Sequence, residues 1–270
     1  MPYAHLNDRA VLLLSGDDRV TFLQGLITND TEKLAQGEAL YAALLSPQGK
    51  FLHDFFLVPE GNHILIDIHH NRAADLMARL NIYKLRSKIM IAPQPDMHVT
   101  AAWEIPAPAQ GEHVIADPRH PTLGWRIYGK AAAPTHDPHG DYEAHRIALG
   151  IPDGVKDMTV DKSLLLEFGF DALHGLSFSK GCYVGQEVTA RSKFRGQVRK
   201  QLYRVESDAA LPASGTSITT GSTVVGELRS TSGKQGLALL KTEEVEKAEL
   251  PLMAGDTPLR CRLPEWNKPQ

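Results

Sequence analysis

Residues 180–196 read KGCYVGQEVTARSKFRG and set Cys182, one of only two cysteines in the chain, between Gly181 and Gly185. Glycine on both sides lets the backbone take φ > 0 or pass close to another surface, so a tight turn here would expose the thiol. Lys180 and Arg191 flank the cysteine. A nearby cation favours the thiolate, the form that acts as nucleophile and metal ligand. Tyr183, Gln186 and Glu187 complete the string, which contains no histidine, so no Cys-His hydrolytic pair is encoded locally. An isolated cysteine is more often buried and inert than reactive, and spacing alone leaves that role open.

Composition sets the frame for this stretch. A chain of 270 residues with 42% hydrophobic and 23% charged content is ordinary for one or two globular domains. The net charge of −3 argues against gripping nucleic acid through overall charge; a basic strip at Arg191, Lys193, Arg195, Arg199 and Lys200 is the local exception. Cys182 and Cys261 form no CxxC pair and no disulfide framework, and they cannot supply the four thiolates of a complete iron-sulfur cluster. The N-terminal apolar run AVLLL is too short for a signal segment or a membrane span, and the expectation drawn from it is a cytoplasmic protein.

Outward from the motif, the pattern alternates short apolar runs with turn residues. Ala10–Leu14 reads as a buried strand, and Asp17 or Asp18 then caps a short helix that stops at Gly25. LITND follows, where Asn29 and Asp30 suit either an Asx-turn or a ligand contact. Tyr41–Leu45 and Phe51–Val58 flank SPQGK as a hairpin, and HILIDIH is a further strand. His53 and Asp54 interrupt the apolar FLHDFFLV, and alternation places them on opposite faces. A buried carboxylate there must find hydrogen bonds or change its pKa. A helical stripe covers Asn71–Leu85, and a strand returns over SKIMIAP. His69 and His70 are expected to point apart at the start of that helix. Residues 131–141 are the best linker candidate; their His136 and His139 lack the cysteine or acidic cluster that a metal site would need. Beyond Gly196, short strands with glycine turns predict a small antiparallel barrel whose last strand holds Cys261 in a structural role.

KGCYVGQE closely resembles the K-G-C-Y-x-G-Q-E signature of the YgfZ-type folate-binding proteins of iron-sulfur cluster assembly, relatives of the glycine-cleavage aminomethyltransferase (T-protein). FLQGLITND, KLRSKIMI and HRIALGIPDG resemble further segments of that family, so the likeness covers nearly the whole chain. It implies an α+β, T-protein-like fold with a C-terminal antiparallel β-barrel. The domains expected are a folate-binding region over 1–196, with a ferredoxin-like subdomain near 40–95, and a barrel over 197–265. The resemblance also implies tetrahydrofolate or a derivative as cofactor, iron-sulfur assembly or client proteins as partners, and an indirect link to tRNA modification. Neither a membrane nor direct nucleic-acid binding is expected.

A pterin needs a carboxylate for its N–H and amino donors and an apolar slot; the glutamyl tail needs cations nearby. Asp54 is the first candidate, because G-K-F-L-H-D stands where the aminomethyltransferase has G-G-x-x-D-D. Glu167 matches a P-x-E position, although Leu165 replaces the proline; Asn29, Asp30 and Arg86 complete the cofactor-binding candidates. Asp54 and Cys182 are the candidates for chemistry. Ala148 stands where the aminomethyltransferases carry a pterin-holding glutamate, which weighs against authentic aminomethyl transfer. Three readings compete: a folate-dependent accessory factor for cluster assembly, a tetrahydrofolate-dependent one-carbon transferase, and a binding module using the basic strip.

Overall fold

The computed structural model describes residues 2–108, 113–130, 139–196 and 198–268. His136 and residues 131–138 of the expected linker lie outside them. The chain divides into two compact units, Met1–Tyr142 with Leu173–Glu187, and Glu143–Ala172 with Val188–Gln270.

The first unit is built on two antiparallel sheets. Its strands are β1 (Tyr3–His5), β2 (Arg9–Ser15), β3 (Leu40–Leu45), β4 (Phe51–Glu60), β5 (His63–His69), β6 (Met90–Pro93), β7 (His98–Ala102), β8 (His113–Ala116) and β9 (Trp125–Gly129). One sheet runs β3-β4-β5-β2-β6 and the other β1-β7-β9-β8. Residues 51–58 of β4 are buried on both faces, which explains why the strand reads as a near-continuous apolar run, interrupted by His53 and Asp54, rather than an alternating one. Ala42, Leu44 and Phe55 join a core with Phe22 and Leu23 of α1 (Arg19–Gln24) and with Leu76 and Leu80 of α2 (His70–Lys84). Val11, Val58 and Leu65 instead pack with Val99, Ala101 and Tyr128 of the second sheet. The β3–β4 hairpin closes through Ser46 N to Lys50 O at 2.8 Å and Gly49 N to Ser46 O at 2.8 Å.

His69 caps α2 by accepting from Asn71 N, and its ring stacks on His70 at 4.9 Å. The expectation that these two rings point apart is therefore corrected. The chain bends from strand to helix between them, so strand alternation no longer separates neighbouring side chains.

The second unit contains most of α3 (His139–Leu149), α4 (Gly154–Asp157), most of α5 (Gln186–Phe194) and the expected antiparallel barrel. The barrel strands are β10 (Lys200–Glu206), β11 (Ser217–Thr220), β12 (Thr223–Ser232), β13 (Gln235–Lys241), β14 (Leu252–Ala254) and β15 (Thr257–Arg262). They close in the order β10-β13-β12-β11-β14-β15 around Tyr203, Val205, Ile218, Val225, Leu228 and Leu240. Cys261 packs partly buried against this core, and burial pushes its thiol pKa up. Buried Arg146 of α3 donates to Asp157 Oδ2 at 3.0 Å, Glu143 Oε2 at 2.8 Å and Ser230 Oγ at 2.7 Å, while Asp157 Oδ1 accepts from Ser230 N at 2.8 Å. The charge buried in this unit is thus paired and hydrogen-bonded, as burial requires.

Candidate functional site

The motif loop is seated in the first unit by its backbone and its lysine. Gly185 takes φ +82°, and a Cβ there would stand 2.6 Å from Ser46 O and 3.0 Å from Gly49 Cα, so the loop lies directly on the hairpin turn. Gly181 has open space around its Cβ position and is not among the positive-φ glycines. Of the two glycines flanking the cysteine, only Gly185 is required by close approach. Lys180 turns inward, donating from Nζ to Ile27 O at 2.8 Å and Asn29 O at 2.7 Å, above the Tyr183 ring. Burial pushes the Lys180 pKa down to about 8, with Asp30 acting the other way. Between these two anchors Cys182 is exposed. Held loop ends and an outward thiol present the sulfur at the surface without freeing the backbone.

Asn29 links the loop to the sheet. Its Nδ2 donates to Tyr41 O at 2.8 Å and His174 O at 2.7 Å, and its Oδ1 accepts from Asp30 N at 2.8 Å. The Asp30 carboxylate accepts from Gln24 Nε2 at 2.8 Å and from Glu32 N at 3.1 Å. Burial alone would raise the Asp30 pKa, but Gln24, Glu32 N, Lys180 and Lys33 together hold it below the ordinary value. Tyr41 carries the connection across the strand, donating from its hydroxyl to Asp54 Oδ2 at 2.9 Å. Asp54 is buried, on the strand face that also carries Phe56. His53 points the other way, its Nε2 2.9 Å from Asp75 Oδ2, and burial, ahead of Arg72, drives its pKa down to about 4. It is neutral at pH 7. The structure therefore strings Lys180, Asn29, Tyr41 and Asp54 into one connected set.

Arg86 lies apart from this set, exposed in the turn after α2. Glu187 is in the first turn of α5, next to Gln186. Glu167, half-buried, and Arg191 belong to the second unit. Lys193 of the basic strip donates to Asp171 at 2.6 Å. Among the described residues no three His, Cys, Asp or Glu side chains are grouped to hold a metal ion, and no helix is long and apolar enough to cross a membrane.

Sequence reading did not anticipate a charged cluster behind Asp54. Asp67 takes Arg9 Nε at 2.6 Å, Arg126 Nε at 3.1 Å and the Tyr128 hydroxyl at 2.9 Å, while Asp117 takes Arg119 Nη2 at 2.7 Å. The Arg126 and Arg119 guanidinium groups lie 3.9 and 4.9 Å from the Phe56 ring centroid, and Arg119 also lies 5.6 Å from that of Tyr41. Burial would raise the Asp67 pKa, yet Arg126 and Arg9 hold it below the ordinary carboxylate value. The one sequence signal was Asp67 inside the apolar HILIDIH; its partners are scattered from Arg9 to Arg126.

Comparison with known proteins places the chain in a family. Residues 199–269 match the family described as CAF17, C-terminal beta-barrel domain. The chain resembles the glycine cleavage system aminomethyltransferase T of Bartonella henselae with a TM-score of 0.72 at 13% identity, over 97% of this chain and 84% of that one. That likeness shows the fold: α+β and T-protein-like, with a closed C-terminal barrel. It is 33% identical to the iron-sulfur cluster assembly factor IBA57, mitochondrial, of Homo sapiens, over 97% of this chain and 84% of the relative. The Mus musculus protein of the same name is 32% identical over the same shares. These relatives are mitochondrial by name, which overturns the cytoplasmic location expected from the short AVLLL run. That run bears only on secretion and membrane insertion, whereas mitochondrial targeting is read from other sequence properties. With a third of its residues identical across nearly its whole length, the chain belongs to the IBA57 family of iron-sulfur cluster assembly factors.

Proposed function

We propose that this chain is a folate-binding accessory factor in iron-sulfur cluster assembly, akin to the YgfZ-type proteins. Family membership supports the assembly role, and the T-protein-like fold supports the folate. The observation that carries the folate reading is Asp54, a buried carboxylate held by Tyr41 on a strand face lined by an aromatic ring. That donor set fits a pterin, whose ring presents N–H and amino donors to an acceptor-only group. Tetrahydrofolate, when bound, supplies a carrier for one-carbon units. Asp54 would accept from the pterin edge, Tyr41 would fix the carboxylate, and Asn29 with Lys180 would keep β3 and the motif loop in register. Cys182, exposed on the loop, would be the contact for iron or for a partner protein; iron-sulfur clusters are cargo in this reading. Any effect on tRNA modification would pass through the iron-sulfur enzymes served.

Equilibrium binding of tetrahydrofolate to the wild-type protein and to Asp54→Ala tests the reading. Losing charge-assisted hydrogen bonds worth about 1.5–3 kcal/mol weakens binding roughly ten- to hundredfold. No binding by the wild type, or equal binding by both, would remove folate from the proposal. Full rescue by Cys182→Ser of iron-sulfur enzyme activity in cells lacking the protein would remove the thiol.

A further inference from the structure

The turn from α2 into β6, residues 82–90 (IYKLRSKIM), lies outside the connected site and has an unusual surface. Four of the nine large hydrophobic side chains exposed among the described residues fall in it: Ile82, Tyr83, Leu85 at 89% exposure and Met90. Scattered exposed hydrophobics need no explanation, but a local concentration does. Lys84, Arg86 and Lys88 alternate with them, and among the described residues their side chains make no hydrogen bond or ion pair. Asp18, close by, is engaged by the backbone N–H of Lys88 at 2.6 Å.

This turn is ordered. Ile89 is buried in the core, Ser87 N donates to Lys84 O at 2.8 Å, and Gly16 packs on the Lys88 backbone. Leu85 takes φ 43°, a conformation that costs energy in a residue other than glycine, and yet its side chain stands almost fully exposed. β6 is the edge strand of its sheet, and Pro93 blunts its far end, which leaves the Met90 end open for pairing.

We infer that residues 82–90 form a docking surface for a partner protein that presents acidic side chains around an apolar anchor. Charge complementarity selects this occupant. An isologous contact with a second copy would set two groups of three unpaired cations against each other. The open strand edge suits a polypeptide, since it offers backbone hydrogen bonds that a lipid surface does not use.

The test is photocrosslinking in cells, with benzoylphenylalanine at Leu85 or Ile82 and a control at Val224, exposed in the barrel. Adducts are identified by mass spectrometry and measured again in the triple variant Lys84→Glu, Arg86→Glu, Lys88→Glu. The expected result is an adduct with a protein whose crosslinked surface is acidic, absent at Val224 and reduced roughly tenfold or more by charge reversal. A lipid adduct, an adduct with a second copy, no adduct, or one indifferent to charge reversal would overturn the inference. A circular dichroism spectrum and a urea unfolding midpoint equal to those of the wild type show that the triple variant remains folded. A charge-dependent acidic partner unrelated to iron-sulfur proteins would sustain the docking surface and count against the assembly role, so the two failures are distinct.

Discussion

Gly185→Ala is the substitution that most directly probes how the motif loop is seated. The residue holds φ +82°, where an L side chain costs about 1–2 kcal/mol. The new Cβ would also stand 2.6 Å from Ser46 O and 3.0 Å from Gly49 Cα, both backbone atoms of a hydrogen-bonded hairpin turn. Neither can rotate away, so relief requires moving one backbone segment, a strain of about 1–3 kcal/mol. The expected loss is about 3 kcal/mol, read from urea unfolding at pH 7.5 followed by tryptophan fluorescence and circular dichroism. Gly181→Ala is the matched control: its Cβ meets nothing within 4 Å, so the cost stays within about 0.5 kcal/mol. A Gly185→Ala cost below about 1 kcal/mol, or a Gly181→Ala cost equal to it, would refute the claim that the loop is pinned on the hairpin.

Two further outcomes follow from the buried charges. His53 has its pKa depressed from 6.5 to about 4, so the unfolded chain binds more protons between those values and stability falls as pH drops through that window. The depression corresponds to roughly 3 kcal/mol once pH is below 4, and His53→Gln should flatten the wild-type decline between pH 6.5 and 4 by that order; parallel curves for the two proteins would contradict this. Arg146→Met leaves Asp157 and Glu143 without their guanidinium and should cost about 3–5 kcal/mol, measured by denaturant unfolding of the purified variant. A cost under 1 kcal/mol would mean that the pair is dispensable.

Much of this protein was legible in its sequence because the relevant signals are local. The hairpin around SPQGK, the helix after HILIDIH and the glycine-spaced barrel strands each follow from periodicity and turn chemistry within a few residues. KGCYVGQE marked the loop that the structure seats on the hairpin, and alternation separated His53 from Asp54 before any coordinates did. Localisation was misjudged because one short apolar run answers only the question of membrane insertion.

Tertiary structure decided what depends on contacts between distant residues. Lys180 reads in sequence as a cation beside a thiol, yet its ammonium turns away to bind Ile27 O and Asn29 O, since buried carbonyl oxygens in the segment after α1 need donors. The cluster of Arg9, Asp67, Asp117, Arg119 and Arg126 joins three strands, β2, β5 and β9, and the loop after β8, which no local pattern connects. Burying charge demands partners wherever the fold brings them, and those partners are set by sheet order and not by sequence spacing. Sequence determined the elements, the barrel and the motif; only packing determined that Lys180, Asn29, Tyr41 and Asp54 form one connected set, because hydrogen bonds are made across space.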